Sequence, residues 1–267
     1  MTSIDGFYEG QFGSWTEFKS NLFATIGRVR AELAGDEGIS SLDPAKFIFR
    51  GQACSSWSLE TSFDRQFRSL GSMVGHDIDF EYQSFLESYQ DDCRYYGVID
   101  SYIPLYDRGA GIDLEQFGQH NGLPTRLLDW TSSPYVASFF AFSGYKASRS
   151  GYVAVWALDT VEMRRCWKDV DVKLVQKPTT TNPRLRMQLG LFTKNMSNLL
   201  ALEELFKLVN NRARQPPRWP VLYKFAISVD FAVEALRDLA HMGIDYRRLF
   251  PGISGVCMHY AASLARR

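Results

Sequence analysis

The sequence predicts an α+β fold built as a single domain over residues 1–267, and three observations carry that prediction. Strand-like and helix-like segments alternate irregularly, without the period of a βαβ array and without an internal repeat. Hydrophobic residues make up 45% of the chain and aromatic residues 14%, enough for a large buried core and incompatible with disordered, collagen-like or low-complexity classes. No linker divides the chain, since Pro216-Pro217 interrupts a basic stretch but is too short to separate domains.

The elements follow in order. Ser14 with Glu17 forms a capping box, and Trp15, Phe18, Leu22, Phe23, Ile26, Val29 and Leu33 recur at helical spacing, so a helix spans about 14–34. Lys46 to Gly51 is short, aromatic and β-branched, a strand that delivers Arg50 and Gln52 at its end. From Thr61 to Tyr96 the pattern is helical, with Phe80, Phe85, Leu86 and Tyr89 on one side and Glu81, Glu87, Asp91 and Asp92 elsewhere. Arg126 to Thr131 reads as a strand that runs into Ser132-Ser133-Pro134, after which Tyr135 to Phe142 begins a helix with proline at its first position. Gly151 to Leu158 and Val221 to Val229 are further strands, and Phe231 to Leu239 a further helix.

Thirty Lys+Arg balance thirty Asp+Glu, but residues 1–144 hold 10 basic and 20 acidic side chains, leaving 20 basic and 10 acidic in residues 145–267. Net neutrality removes any bulk attraction to nucleic acid, whereas the 12 Lys+Arg against 4 Asp+Glu in residues 163–218, interleaved with Trp167, Phe192 and Phe206, suit either phosphate and base contacts or pairing with the chain's own acidic half. No apolar run reaches the roughly 18–20 residues of a membrane helix, and the acidic N-terminus is unlike a secretory signal. Cys54, Cys93, Cys166 and Cys257 are widely spaced, with no CxxC and no metal-ligand pattern. The expectation is a cytoplasmic protein with reduced thiols, no membrane partner and no metal.

Three clusters place polar residues in apolar, strand-like surroundings, where burial without a partner costs about 1–3 kcal/mol each. In Phe49-Arg50-Gly51-Gln52 an arginine at a strand end presents its planar fork to a carboxylate or phosphate, while the glycine lets a ligand approach the backbone. The alternative is an arginine paired structurally with an acid. Gln119 to Thr131, QHNGLPTRLLDWT, concentrates an amide, an imidazole, an arginine, a carboxylate and a hydroxyl: His120 suits a general base, Asp129 its orienting partner, and Thr131 or Ser132 a ligand hydroxyl. A structural histidine and an Arg126–Asp129 ion pair are the alternatives. The third cluster, Arg184 to Phe192, sets Gln188 two residues before Gly190. Phosphate-loop, dinucleotide-fold, zincin and nucleophile-elbow signatures are all absent.

Taken together, Phe49-Arg50-Gly51-Gln52, the thirteen residues from Gln119 to Thr131, Ser133-Pro134 with Ala137, Phe140 and Ala141, the spacing of Arg184, Gln188, Gly190 and Phe192, and the segment from Gly243-Ile244 to Pro251-Gly252 closely resemble the FRG domain family, whose second motif usually reads QHxGLPTRLLDWT. The resemblance spans about 47–257 and implies a bacterial or phage-associated protein of toxin or defence settings. More distantly, the order of motifs is similar to ADP-ribosyltransferases of the Arg-Ser-Glu type. That likeness implies a mixed or antiparallel split sheet with helices packed around it and NAD as substrate. Arg50 would grip the phosphates or ribose, and Thr131 with Ser132 would brace the nicotinamide pocket; Gln188 stands where a glutamate is expected.

The function expected from this resemblance is an NAD-dependent ADP-ribosyltransferase that modifies a nucleic acid or protein and is held in check by a neutralising partner protein. Arg50, His120, Asp129 and Gln188 are its candidate catalytic positions; Arg50, Gly51, Gln52, Thr125, Arg126, Thr131 and Ser132 are its candidate NAD-binding positions, with Arg50 and Arg126 taking the pyrophosphate. A non-catalytic nucleotide or nucleic-acid sensor is the alternative, and a nuclease or other hydrolase a third.

Overall fold

The computed structural model describes residues 7–34, 42–69, 77–98, 112–145, 151–175, 183–197, 201–212 and 217–264. The elements in chain order are β1 (Phe7–Phe12), α1 (Trp15–Ala34), β2 (Phe47–Gln52), α2 (Ser62–Ser69), α3 (Ile78–Tyr95), α4 (Ile112–His120), β3 (Leu127–Thr131), α5 (Pro134–Ser143) and β4 (Tyr152–Asp159). There follow α6 (Thr160–Val170), β5 (Val172–Val175), α7 (Pro183–Met187), β6 (Gly190–Asn195), α8 (Leu202–Arg212), β7 (Leu222–Ser228), α9 (Ala232–His241), α10 (Tyr246–Leu249) and α11 (Ile253–Leu264).

The seven strands form a mixed sheet in the order β1-β7-β4-β2-β3-β6-β5, parallel between β1 and β7 and antiparallel elsewhere. Side chains alternate across its pleat and bury two cores. On one face Phe47, Phe49, Val153, Val155, Tyr223 and Phe225 pack beneath α1, α5 and α9. On the other, Ile48, Leu128, Trp130, Trp156 and Leu158 meet Met163 and Cys166 of α6 and Leu202, Leu205 and Phe206 of α8. A third, smaller core joins Phe63 of α2 to Ile78, Tyr82 and Leu86 of α3.

The sheet narrows at one place. Strands β2 and β4 pair over six residues and β3 and β6 over five, yet β2 and β3 share the single pair Phe49↔Thr131. Continued by two residues, that register would set Asp129 opposite Gly51; instead the Asp129 carbonyl accepts a hydrogen bond from Arg50 Nη1 at 2.7 Å. A four-stranded part and a three-stranded part are thus hinged on one residue pair, and an arginine side chain occupies the gap.

Local signals explain the elements that flank this gap. Ser14 Oγ accepts from the Glu17 amide at 3.0 Å, and the Glu17 carboxylate reaches back to the Gly13 amide at 2.8 Å, so the capping box holds with its return bond one residue earlier than in the usual motif. Ser133 caps α5, accepting from the Val136 amide, and Pro134 occupies the first turn. The helix expected over 61–96 is described as two, α2 and α3. On α3 the buried stripe is Ile78, Tyr82, Leu86 and Cys93, while Phe80, expected on the apolar side, is 67% exposed. The fold itself requires a glycine at 51: a Cβ there would lie 1.9 Å from the Ala137 carbonyl oxygen and 2.7 Å from the Ala141 amide nitrogen, so α5 rests directly on the β2 backbone.

That contact is rigid backbone on both sides, and overpacking of such a site costs about 1–3 kcal/mol. Gly51→Ala is expected to lower the melting temperature by roughly 2–12 °C, taking about 2–4 °C per kcal/mol for a chain of this size. Differential scanning calorimetry reads the change; an unaltered melt would show that α5 does not bear on β2 in this way.

Candidate functional site

A cavity of about 360 Å³ opens where β2 and β3 part. Its walls come from β2 (Arg50, Gly51), β3 (Asp129, Thr131), the end of α4 (Gln119, His120), α5 (Ala137, Phe140), α7 (Arg184), the turn after it (Gln188), the start of β6 (Gly190) and Phe250. The volume lies in the range of small-molecule sites, and the lining mixes aromatic rings with a few convergent polar groups, as such sites do. Arg50, His120, Asp129 and Thr131, singled out from separate motifs, line this one cavity, together with Gln188.

Arg50 is the unusual group. Nη1 is bonded to the Asp129 carbonyl, while Nε is shut off from solvent and has no hydrogen-bond partner. Burial pushes the guanidinium pKa down from its ordinary value; the Asp129 carboxylate opposes that shift and the Arg65 guanidinium adds to it. An arginine remains protonated regardless, so the cavity wall carries a partly desolvated cation with an unused donor. A buried polar atom without a partner costs about 1–3 kcal/mol, a cost that an anionic ligand would remove.

Asp129 is held from the side. Gln119 Nε2 donates to Asp129 Oδ2 at 2.8 Å, and Gln119 Oε1 accepts from Thr125 Oγ1 at 3.0 Å. The glutamine is thereby fixed in one amide orientation and is a hydrogen-bond partner of Asp129. Among the described residues Asp129 is the one carboxylate lining the cavity. Thr131 Oγ1 accepts from the Ser133 amide at 3.1 Å, coupling the floor of the site to the cap of α5. Gln188 Nε2 donates to the Leu249 carbonyl at 3.1 Å, and the next residue, Leu189, takes a left-handed backbone with φ of 50°. An amide takes no proton, so Gln188 offers hydrogen bonding to the cavity and no general base.

Other expected site residues lie elsewhere. Arg126, expected to share the pyrophosphate, is 0% exposed and does not line the cavity. Its guanidinium is bonded to Asp79 and to the Ser197 carbonyl, lies 3.3 Å from Asp64, and sits 5.8 Å from the ring of Tyr82. The same network continues through Tyr82, whose hydroxyl donates to Glu115 of α4, and Glu115 also pairs with Lys194 at 2.7 Å. Burial raises the carboxyl pKa of Asp64, with Thr61 and Arg126 opposing the shift, and burial likewise raises that of the Tyr82 phenol. Arg126 is therefore the hub that joins α2, α3 and the end of β6 and anchors α4 behind the cavity. Thr125 is fully buried and bonded to Gln119 and Ser62, and Ser132 is exposed; neither lines the cavity. Gln52 is spanned between Trp156 Nε1 and the Ser58 carbonyl and faces a second cavity beyond Arg50.

Arg184 and Phe250 line the cavity although sequence reasoning assigned them no role. Arg184 Nη2 donates to Ser254 Oγ at 2.9 Å, and its guanidinium carbon is 5.8 Å from the Phe250 ring centre. Both were visible inside quoted motifs, as the arginine four residues before Gln188 and the aromatic before Pro251-Gly252. Of the basic stretch 163–218, part of which lies outside the described residues, Arg184 lines the cavity, Lys194 pairs with Glu115, and Lys207 pairs with Glu204.

Residues 45–150 match the family model of the FRG domain, a span that contains β2, α2 to α5 and both leading motifs and that supports the FRG family for this chain. No curated protein and no solved structure matches the chain. Among the described residues no helix is long and apolar enough to cross a membrane, and no group of three His, Cys, Asp or Glu side chains is placed to hold a metal ion.

Removing one partner from a buried ion network costs about 3–5 kcal/mol. Arg126→Met is expected to lower the melting temperature by at least about 6 °C while leaving ligand affinity of the folded protein within about threefold. Unchanged stability with lost binding would return Arg126 to the cavity.

Proposed function

We propose that the cavity binds NAD and that the protein transfers ADP-ribose from it to a nucleic-acid or protein acceptor. The observation that supports this most is the convergence of an arginine with an unused, desolvated donor, a fixed carboxylate, an imidazole and a hydroxyl in one cavity with aromatic walls. In this reading the phosphate oxygens take the free valence of Arg50, a charge-assisted bond that is stronger than a neutral one. The Asp129 carboxylate faces the ribose, where an oxocarbenium-like cation develops as the C1′–N bond breaks and the electron pair leaves with nicotinamide. A lone pair of the acceptor forms the new C1′ bond, and its proton passes to Asp129 or to His120 at the rim. Phe140 and Phe250 exclude water from the reacting centre, and Gln188 holds the wall formed by Leu249.

The engaged amide at Gln188 favours a second reading, a nucleotide sensor in which the same groups bind NAD without cleaving it. The two readings separate in one assay. Purified protein with NAD and a panel of RNA, DNA and protein acceptors is expected to release nicotinamide stoichiometrically with label transfer. Arg50→Ala is expected to abolish binding. Asp129→Asn is expected to lower the rate by about 100-fold, in the range for losing one electrostatic stabiliser, with NAD affinity changed less than about threefold. NAD binding without nicotinamide release would establish the sensor; absence of NAD binding would dispose of both.

A further inference from the structure

The cavity at the strand gap has a neighbour. A second cavity of about 720 Å³ lies on the other side of Arg50, Gly51 and Phe140, which line both, and it is walled by Trp57, Ser58 and Arg65 among others. Arg50 is thus a partition with open space on two sides. Two observations give the second chamber a chemical character.

The first is charge. Arg65 of α2 approaches Arg50 closely enough to press its pKa down, the expected effect of one cation on another. Among the described residues neither arginine has a carboxylate within 4 Å: Arg65 Nη1 donates to the Glu60 carbonyl oxygen at 2.6 Å, and the Glu60 carboxylate is engaged by Arg68 at 2.5 Å. Two guanidinium groups that repel each other and form no ion pair of their own, one with a buried and unpartnered Nε and Asp129 as its nearest acidic influence, make a cradle for an anion, while the Glu60 carboxylate on the same wall is taken up by Arg68. The second observation is the wall. Trp57 is 43% exposed and lines the chamber, offering an indole surface beside the cationic pair. A planar base stacks on such a surface, and the preference for an aromatic partner does not depend on which hydrogen-bond donors it carries.

We infer that the second chamber holds the adenosine 5′-phosphate half of the dinucleotide, with its phosphate between Arg50 and Arg65 and its base against Trp57. This assignment rests on the nucleotide reading of the first cavity and extends it to residues outside every motif noted in the sequence. It also supplies the second arginine for the diphosphate, a role that the buried Arg126 does not fill.

The test measures binding of AMP and of ADP-ribose by titration calorimetry, with quenching of tryptophan fluorescence as a second readout. Both ligands are expected to bind the full chain, to compete with NAD, and to lose about tenfold in affinity in Arg65→Ala and in Trp57→Ala. Trp57→Phe, which keeps a stacking surface, is expected to retain affinity within about threefold while the quenching disappears. Arg65 and Trp57 are exposed, so their variants fold. AMP and ADP-ribose that bind equally well to all variants, or that do not bind, would overturn the assignment. So would a 5′-phosphorylated oligonucleotide that binds through Trp57 when AMP and ADP-ribose do not, because the chamber would then belong to an acceptor. AMP binding as described with no cleavage of NAD would sustain the chamber and remove the transferase. Cleavage of NAD with an unchanged KM in Arg65→Ala and Trp57→Ala would sustain the transferase and remove the chamber.

Discussion

The single residue pair between β2 and β3 is the constraint on which the rest of the site depends. A sheet wide enough to bury two cores normally continues its ladder between central strands, because each unpaired backbone group inside it is costly. Here the ladder stops after Phe49 and Thr131, and the carbonyl of Asp129 is satisfied by a side chain, Arg50 Nη1, instead of by a backbone amide. One bond therefore closes the fold and sets the site: it fixes the arginine in the gap, leaves its Nε without a partner, and carries Asp129 to the cavity wall. On the opposite face of β2, the lack of a side chain at Gly51 lets α5 approach and seal the gap from behind.

Behind the cavity stands a largely buried ionic network that holds the second motif and α4 in place. Arg126, Asp64, Asp79, Tyr82, Glu115 and Lys194 connect α2, α3, α4 and β6. Since Gln119 and His120 end α4, the network determines where these two groups enter the cavity. Several of the ion pairs cross between the acidic first half of the chain and its basic second half: Arg30 with Asp159, Lys194 with Glu115, Lys224 with Glu9 at 2.7 Å and Lys19 with Asp238 at 2.7 Å. Two of these pairs join a second-half base to a first-half acid and two run the other way, so they tie the halves together without reducing the charge asymmetry between them.

Much of the arrangement was legible in the sequence, and the reasons are physical. The capping box before α1, the proline start of α5 and the alternation in β4 report local geometry, so α1, α5 and β4 fall where the pattern placed them. Motif density placed Arg50, His120, Asp129 and Thr131 in one cavity because residues that serve one site are delivered by the ends of adjacent strands and helices. Pattern reading failed where a residue's role is set by a distant partner. Arg126 has the same composition signal as a ligand-binding arginine, and only its pairing with Asp64 and Asp79 shows otherwise. Gly51 reads as a ligand-approach glycine, and only the structure shows that Ala137 packs against it as well. Strands β1, β5 and β6 lack a distinctive alternation and are specified by the edges they complete, and Arg65 and Trp57 gain their meaning only from the cavity they share with Arg50.

The central claim is that the gap between β2 and β3 is an anion site built on Arg50. A crystal structure of the protein with ADP-ribose tests it most directly. A phosphate oxygen is expected within hydrogen-bond distance of Arg50 Nε, with the Arg50 bond to the Asp129 carbonyl retained. A ligand bound away from the gap, or an Arg50 Nε capped by a protein group while the ligand sits elsewhere, would contradict it.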